Sequence, residues 1–226
     1  MNALIIRQLP GLSDYRESLA AMQVFTEGRT ADTPDEIWCL EHPPIYTLGM
    51  AGRKEHVLAP GQVDVVKVDR GGQVTFHGPG QLIVYLLIDL KRKGITIKQY
   101  VHLLEQAVIN MLGDCSIRAR RKEKAPGVYV DTRKIAAIGV RVRKGCCYHG
   151  LSLNVSMDLS PYNGINPCGY PGLEITQLKD EGINLTVAAA AENLISYLVT
   201  ELGFAGYRQE ILTGIDRSVV NSEEVA

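Results

Sequence analysis

The sequence predicts an α+β fold in which amphipathic helices pack on a sheet, and three observations carry that prediction. Stretches of helical and of strand period are interleaved along the chain. Strand-like runs follow one another across residues 128–155 with short turns between them, as in an antiparallel meander. Helices cluster after runs of strands, and neither a Gly-x-Gly-x-x-Gly fingerprint after a strand nor a Walker A pattern is found, which argues against a doubly wound nucleotide-binding sheet. With 226 residues, 46% of them hydrophobic, the chain can bury a sizeable core. One domain over residues 1–226 is expected, with a polar tail after about residue 215 expected to be loose.

Residues 2–9 read as a first strand. From Ser13, read as an N-cap, Tyr15, Leu19, Met22 and Phe25 recur at helical spacing until Gly28 supplies a stop. Residues 36–41 and 45–48 look like strands parted by His42, Pro43 and Pro44, and residues 63–68 are a further β-branched run. Residues 82–90 are apolar almost throughout, as in a strand buried on both faces. Thr96 and Gln99 make a capping-box pattern before a helix whose apolar face holds Tyr100, Leu103, Leu104, Ala107, Val108 and Met111. That helix turns His102 to solvent and ends at Gly113. Residues 128–130, 134–143 and 148–155 supply the meander, and a last helix spans residues 186–202 with Gly203 as its stop.

The charge balance, 24 basic against 25 acidic residues, gives no bulk attraction to nucleic acid or to an anionic membrane, so neither is expected as a partner. The N-terminus has too short an apolar stretch for a signal peptide or a spanning helix, which predicts a cytoplasmic protein with reduced thiols. Cys146, Cys147 and His149 are clustered in sequence, but no second pair of ligands stands at zinc spacing, and no metal is expected.

Three segments and one thiol have the residue types of a site. Cys168 sits in Asn-Pro-Cys-Gly-Tyr-Pro-Gly, whose punctuation makes a tight turn, and a thiol held on a turn is a candidate nucleophile. Cys39 lies in an apolar run, Cys115 follows a helix end, and Cys146 and Cys147 fall in a connection. The segment Arg70, Gly71, Gly72, Gln73, Val74, Thr75, Phe76, His77 has paired glycines that let a backbone approach a ligand, with arginine and histidine as polar anchors, and reads as a binding loop. Lys134 begins a strand face with Ala136, Ile138, Val140 and Val142, either as a snorkelling strand end or as a desolvated amine with a lowered pKa. Gly150 and Ser152 make a narrow face, while His149 aligns with Leu151, Leu153 and Val155. Both His149 and His77 stand as candidate bases for Cys168, and spacing does not rank them.

Taken together, residues 70–81, 134–143, 149–155 and 166–169 resemble, in order, the motifs of the lipoyl(octanoyl) transferase family, over roughly residues 36–180. The resemblance implies an α+β fold like that of biotin and lipoate protein ligases, a mixed sheet with packed helices. It implies that Cys168 accepts the acyl chain as a thioester and that Lys134 favours the thiolate and shuttles protons. Acyl binding maps onto Arg70, Gly71, Gly72, Gln73, Val74, Thr75, Phe76 and His77, onto Ala137, Ile138 and Gly139, and onto Gly150, Leu151 and Ser152. Ser152 stands where alanine is common, Phe76 where tyrosine is common, and Cys147 adds a thiol beside Cys146.

The implied activity moves an octanoyl group from octanoyl-acyl carrier protein to a lysine of lipoyl-domain proteins, the first step of protein lipoylation from endogenous octanoate, without a cofactor. The implied acceptors are the lipoyl domains of 2-oxoacid dehydrogenase complexes and the glycine cleavage H protein, and the enzyme is expected to be a monomer. Basic patches at Arg118, Arg120, Arg121 and Lys122, or at Arg141, Arg143 and Lys144, are expected to dock these acidic partners. The rival readings are an ATP-dependent lipoate-protein ligase of the same fold and a non-catalytic acyl-binding protein.

Overall fold

Between Gln81 and Asp89 only Tyr85 carries a polar atom on its side chain, and this run forms the strand at the centre of the molecule. A computed structural model describes residues 4–212 and 214. In chain order its elements are β1 (Leu4–Leu12), α1 (Tyr15–Glu27), β2 (Asp35–Glu41), β3 (Ile45–Leu48), β4 (Val65–Lys67), β5 (Val74–His77), β6 (Gln81–Asp89) and α2 (Leu90–Lys93). There follow α3 (Ile97–Asp114), β7 (Ala119–Arg121), β8 (Gly127–Val130), β9 (Arg133–Arg143), β10 (Cys146–Asn154), α4 (Val187–Glu201) and β11 (Tyr207–Ile211). The main sheet has the order β11-β1-β2-β6-β10-β9-β8-β7, and a smaller one has the order β4-β3-β5. β1 runs parallel to both β2 and β11, and the other ladders of the main sheet are antiparallel, so the expected mixed α+β sheet is what forms.

Alternation along β6 feeds two cores. Leu82, Val84, Leu86 and Ile88 meet Leu104 and Val108 of α3 and Leu194 and Leu198 of α4, whereas Ile83, Tyr85 and Leu87 meet Met22 of α1, Trp38 and Tyr148. The small sheet has its own cluster, with Tyr46, Leu48, Val74 and Phe76 packed on Tyr162 and Ile165. At the far edge Arg7 of β1 ties three strands: Nε and Nη2 donate to the two Glu36 oxygens at 2.6 and 2.7 Å, and Nη1 donates to Glu210 at 2.6 Å. Among the described residues no helix is long and apolar enough to cross a membrane.

Several boundaries move from their expected places. The cap of α1 is Asp14, not Ser13: its carboxylate accepts the N–H groups of Arg16 and Glu17 at 2.8 and 3.0 Å, while the Ser13 N–H is spent on the Glu41 carbonyl. Thr96 and Gln99 do form the capping box, but α3 runs through Gly113 to Asp114. Cys146 and Cys147 open β10 and are buried there, not in a connection. The first strand is described from Leu4, and the expectation of a loose tail after residue 215 lies outside the described residues.

Gly150 of β10 pairs with Tyr85 of β6, and a Cβ there would lie 2.1 Å from the Val84 carbonyl oxygen and 2.6 Å from Leu86 Cδ1. The central strand's backbone therefore excludes any side chain at this position. Gly150→Ala is expected to lower the unfolding free energy by at least about 2 kcal/mol. Urea denaturation measures it, and a variant within about 0.5 kcal/mol of the parent would contradict this packing.

Candidate functional site

Cys168 stands at the middle of the tight turn Pro167–Gly169 with φ 56° and ψ 15°, the left-handed region that a residue with a Cβ adopts only when its surroundings hold it there. The Gly169 N–H bonds the Asn166 carbonyl at 2.9 Å, and the Asn166 N–H bonds His56 O at 2.8 Å. Seven residues on, the chain returns to β9, where the Lys134 N–H donates to Glu174 O and Lys134 O accepts from Thr176 N, both at 2.9 Å. The turn and the lysine are thus bolted to one another through backbone. The Lys134 Nζ donates to Cys168 Sγ and to Pro126 O, each at 3.0 Å.

A bulge aims the lysine. Tyr129 pairs with Lys134 but Val128 with Ala136, so Ile135 is an extra residue in β9 and strict alternation is lost. Lys134 consequently lines the cleft with Ala137 and Gly139, while Ala136, with which alternation aligned it, packs into the helix-side core. Lys134 is buried, not a snorkelling strand end, and its pKa also runs against the lowered value of the other reading. Burial acts to lower it, but the negative charge available at Cys168 and the Tyr129 hydroxyl outweigh that, and the value is raised. Lys134 is therefore an ammonium beside the sulfur, not a neutral amine, when Cys168 is a thiolate.

A cleft of about 400 Å³ leads away from this pair. Residues 70–75, His77, 137–139 and 150–152 all line it with Cys168 and Lys134, so thirteen of the fourteen positions mapped to acyl binding come together. Phe76 is the exception. The segment expected to be a binding loop is a loop only to Gln73 and then becomes β5, and alternation turns Phe76 away into the cluster with Tyr46 and Tyr162. Arg70 is buried under the cleft floor with neutral acceptors: Nη2 donates to Thr47 O and Oγ1, both at 2.7 Å, and Nη1 to Gly71 O at 2.9 Å.

Neither histidine is hydrogen-bonded to the thiol. His77 Nδ1 pairs with Gln81 Oε1 at 2.7 Å. His149 does not stay with Leu151 and Leu153: a φ of 59° swings its ring across to Asp69, Nε2 to Oδ1 being 2.8 Å, and stacks it on Tyr148. Burial acts to raise the Asp69 carboxyl, but hydrogen bonds from His149 and Tyr148 hold it well below the carboxylate range. Burial lowers His149. Tyr15 and Tyr85, which line the cleft, and Asp69, which backs it through His149, are groups that sequence reasoning missed, and the only local signal was the charge of Asp69 next to Arg70. Of the basic patches, Arg121 lies 3.1 Å from Glu105 and Arg143 and Lys144 share Glu27, whereas Arg118 and Lys122 are exposed.

The family of lipoyl protein ligase A/B catalytic domains matches residues 14–199. An octanoyltransferase from Laribacter hongkongensis is 56% identical over 197 residues, covering 87% of this chain and 95% of its own. A solved structure of a bipartite lipoate protein ligase and its E2 lipoyl domain from Thermoplasma acidophilum matches with a TM-score of 0.72 at 16% identity, over 97% of this chain and 90% of that one. Biotin protein ligase from Aquifex aeolicus matches with a TM-score of 0.51 at 13% identity, over 90% of this chain and 70% of its own. At such identities these two structures share the fold with this chain.

Burial keeps two more histidines neutral, moving His42 down to about 4 and His77 down to about 3. Below about pH 6.5 the unfolded chain takes up protons that the folded chain refuses, so stability holds above that pH and falls below it. The expected fall is about 1.4 kcal/mol per pH unit for each histidine until its folded pKa is reached. Urea midpoints at pH 7 and pH 5 measure the slope, and His77→Gln should flatten it; equal slopes would show that His77 is not held neutral.

Proposed function

The chain belongs to the lipoyl protein ligase A/B catalytic-domain family, and from that premise we propose that it moves an octanoyl group from an acyl carrier protein thioester to a lysine of a lipoyl domain. The acceptors would be the lipoyl domains of 2-oxoacid dehydrogenase complexes and the glycine cleavage H protein. The observation that carries this reading is the 3.0 Å contact between the Lys134 amine and the Cys168 sulfur at the head of the cleft.

In the first half-reaction the Cys168 thiolate attacks the thioester carbonyl carbon. The tetrahedral adduct collapses with cleavage of the bond to the donor sulfur, and the leaving thiolate takes the proton of the Lys134 ammonium. Acylation removes the negative charge that raised the Lys134 pKa, which leaves burial as the dominant influence and favours the neutral amine. In the second half the acceptor lysine attacks the acyl-enzyme, its proton passes to neutral Lys134, and the carbon–sulfur bond to Cys168 breaks, which restores the starting ion pair. The apolar walls contributed by Val74, Ile83 and Leu151 suit a hydrocarbon chain. Six methylenes at about 0.8 kcal/mol each would contribute on the order of 5 kcal/mol before ordering costs.

Mass spectrometry after mixing with octanoyl-carrier protein is expected to find octanoyl on Cys168, discharged by a lipoyl domain in the absence of ATP and never formed by Cys168→Ala. Turnover that needs ATP, or that survives the loss of Cys168, would sink the mechanism. Lys134→Ala should slow formation of the adduct by at least about 100-fold, read in single-turnover kinetics.

A further inference from the structure

Glu105 is an anomaly of the helix it sits on. The other buried positions of α3 are Tyr100, Leu104, Ala107, Val108, Met111 and Leu112, yet this carboxylate is only 6% exposed among them. Burying it carries a desolvation cost that something must offset. One oxygen lies 3.1 Å from Arg121 Nε, and the other accepts the Gly127 N–H at 3.0 Å.

That N–H belongs to the same peptide unit as the Pro126 carbonyl, the acceptor that holds Lys134 Nζ at 3.0 Å. A trans peptide is planar, with its N–H and C=O pointing in opposite directions, so fixing one fixes the other. Nothing on Gly127 itself can set that orientation. Its φ is 132°, and a Cβ would meet the Ala136 carbonyl oxygen at 2.6 Å and Lys134 Cε and Nζ at 3.1 and 3.2 Å, so only glycine, with its free backbone, fits beside the lysine. Tyr129 Oη anchors the preceding residue through Ala125 O at 3.0 Å. The titratable groups facing Lys134 are Cys168 and Tyr129, and Glu105 reaches it only through the peptide.

We propose that Glu105 is a positioning residue for the Lys134 amine: by holding the Gly127 N–H it aims the Pro126 carbonyl that keeps Nζ against Cys168 Sγ. The inference rests on the reading of Cys168 and Lys134 as the reacting pair. Its test is the rate of iodoacetamide alkylation at Cys168 against pH, followed on the Cys168 peptide by mass spectrometry, together with kcat and KM for the acyl donor.

Glu105→Asp keeps the charge but shortens the reach, and is expected to shift the alkylation profile to more alkaline pH and to lower kcat about tenfold with KM little changed. Glu105→Gln keeps both reach and acceptor and is expected to stay within about threefold of the parent. Thermal melts accompany both, and this pair decides the matter even where Glu105→Ala fails to fold. A Glu105→Asp profile superimposed on the parent's, or a Glu105→Gln variant as impaired as Glu105→Asp, would overturn the proposal. Lys134→Ala is run beside them. If it too leaves the profile in place, the reacting pair itself is wrong and the proposal goes with it; a shift in Lys134→Ala alone removes only the part assigned to Glu105.

Discussion

An ammonium group almost wholly withdrawn from water, 3.0 Å from a sulfur, is the interaction on which the rest of the site depends. A buried charge is costly unless it is paired and hydrogen-bonded, and here the two acceptors of the amine come from separate turns of the chain. The sulfur comes from a turn in a conformation that disfavours any residue with a Cβ, and the second acceptor is a backbone carbonyl from the turn ahead of β8. The chain beyond the thiol then pairs with the backbone of Lys134 itself. The strained turn and the bulge in β9 each have a cost, and backbone hydrogen bonds on both sides of the contact hold them there.

The cleft is the seam between two sheets. The main sheet contributes its narrow residues, Ala137, Gly139, Gly150 and Ser152, to one side of the lining. The small sheet and its leading loop supply the opposite wall, with Arg70 pinned to Thr47 of β3 by three hydrogen bonds. Three histidines sit in or under this seam, each desolvated and each engaged by a neighbour, so they support the wall by hydrogen bonding, and burial holds His42 and His77 neutral.

Most of the fold was legible because its signals are periodic. The apolar run of β6, the capping box of α3 and the meander from β8 to β10 announce themselves in the residues. What stayed hidden depends on single backbone torsions or on tertiary partners. Nothing in the sequence marks Ile135 as an extra residue, so alternation puts Lys134 on the wrong face; nothing marks His149 as left-handed, so alternation puts its ring among leucines. β5 was masked by the glycines around it. β11, with the sequence Tyr-Arg-Gln-Glu-Ile, reads as polar, and its partner lies two hundred residues away at β1. Cys168 stands out by its own turn sequence and its partner Lys134 is chosen over the histidines only through the resemblance to a family, whereas Asp69 and Glu105, which bond to groups of the site from outside the motifs, give no such sign.

Arg7 has a consequence for where this protein can be cut. The family match spans residues 14–199, which leaves out both β1 and β11. Trimmed to that span, the sheet would end at β2, a strand buried from Asp35 to Leu40, whose backbone groups would become an open edge available to other chains. Glu36, 3% exposed and bidentate to Arg7, would retain only the Trp38 indole N–H among the side-chain donors described here. The matched span is thus not a separable one: β1 and β11 close the edge of the main sheet away from Lys134, and fragments bounded by the recognisable motifs should be handled as sticky intermediates of folding, not as minimal enzymes.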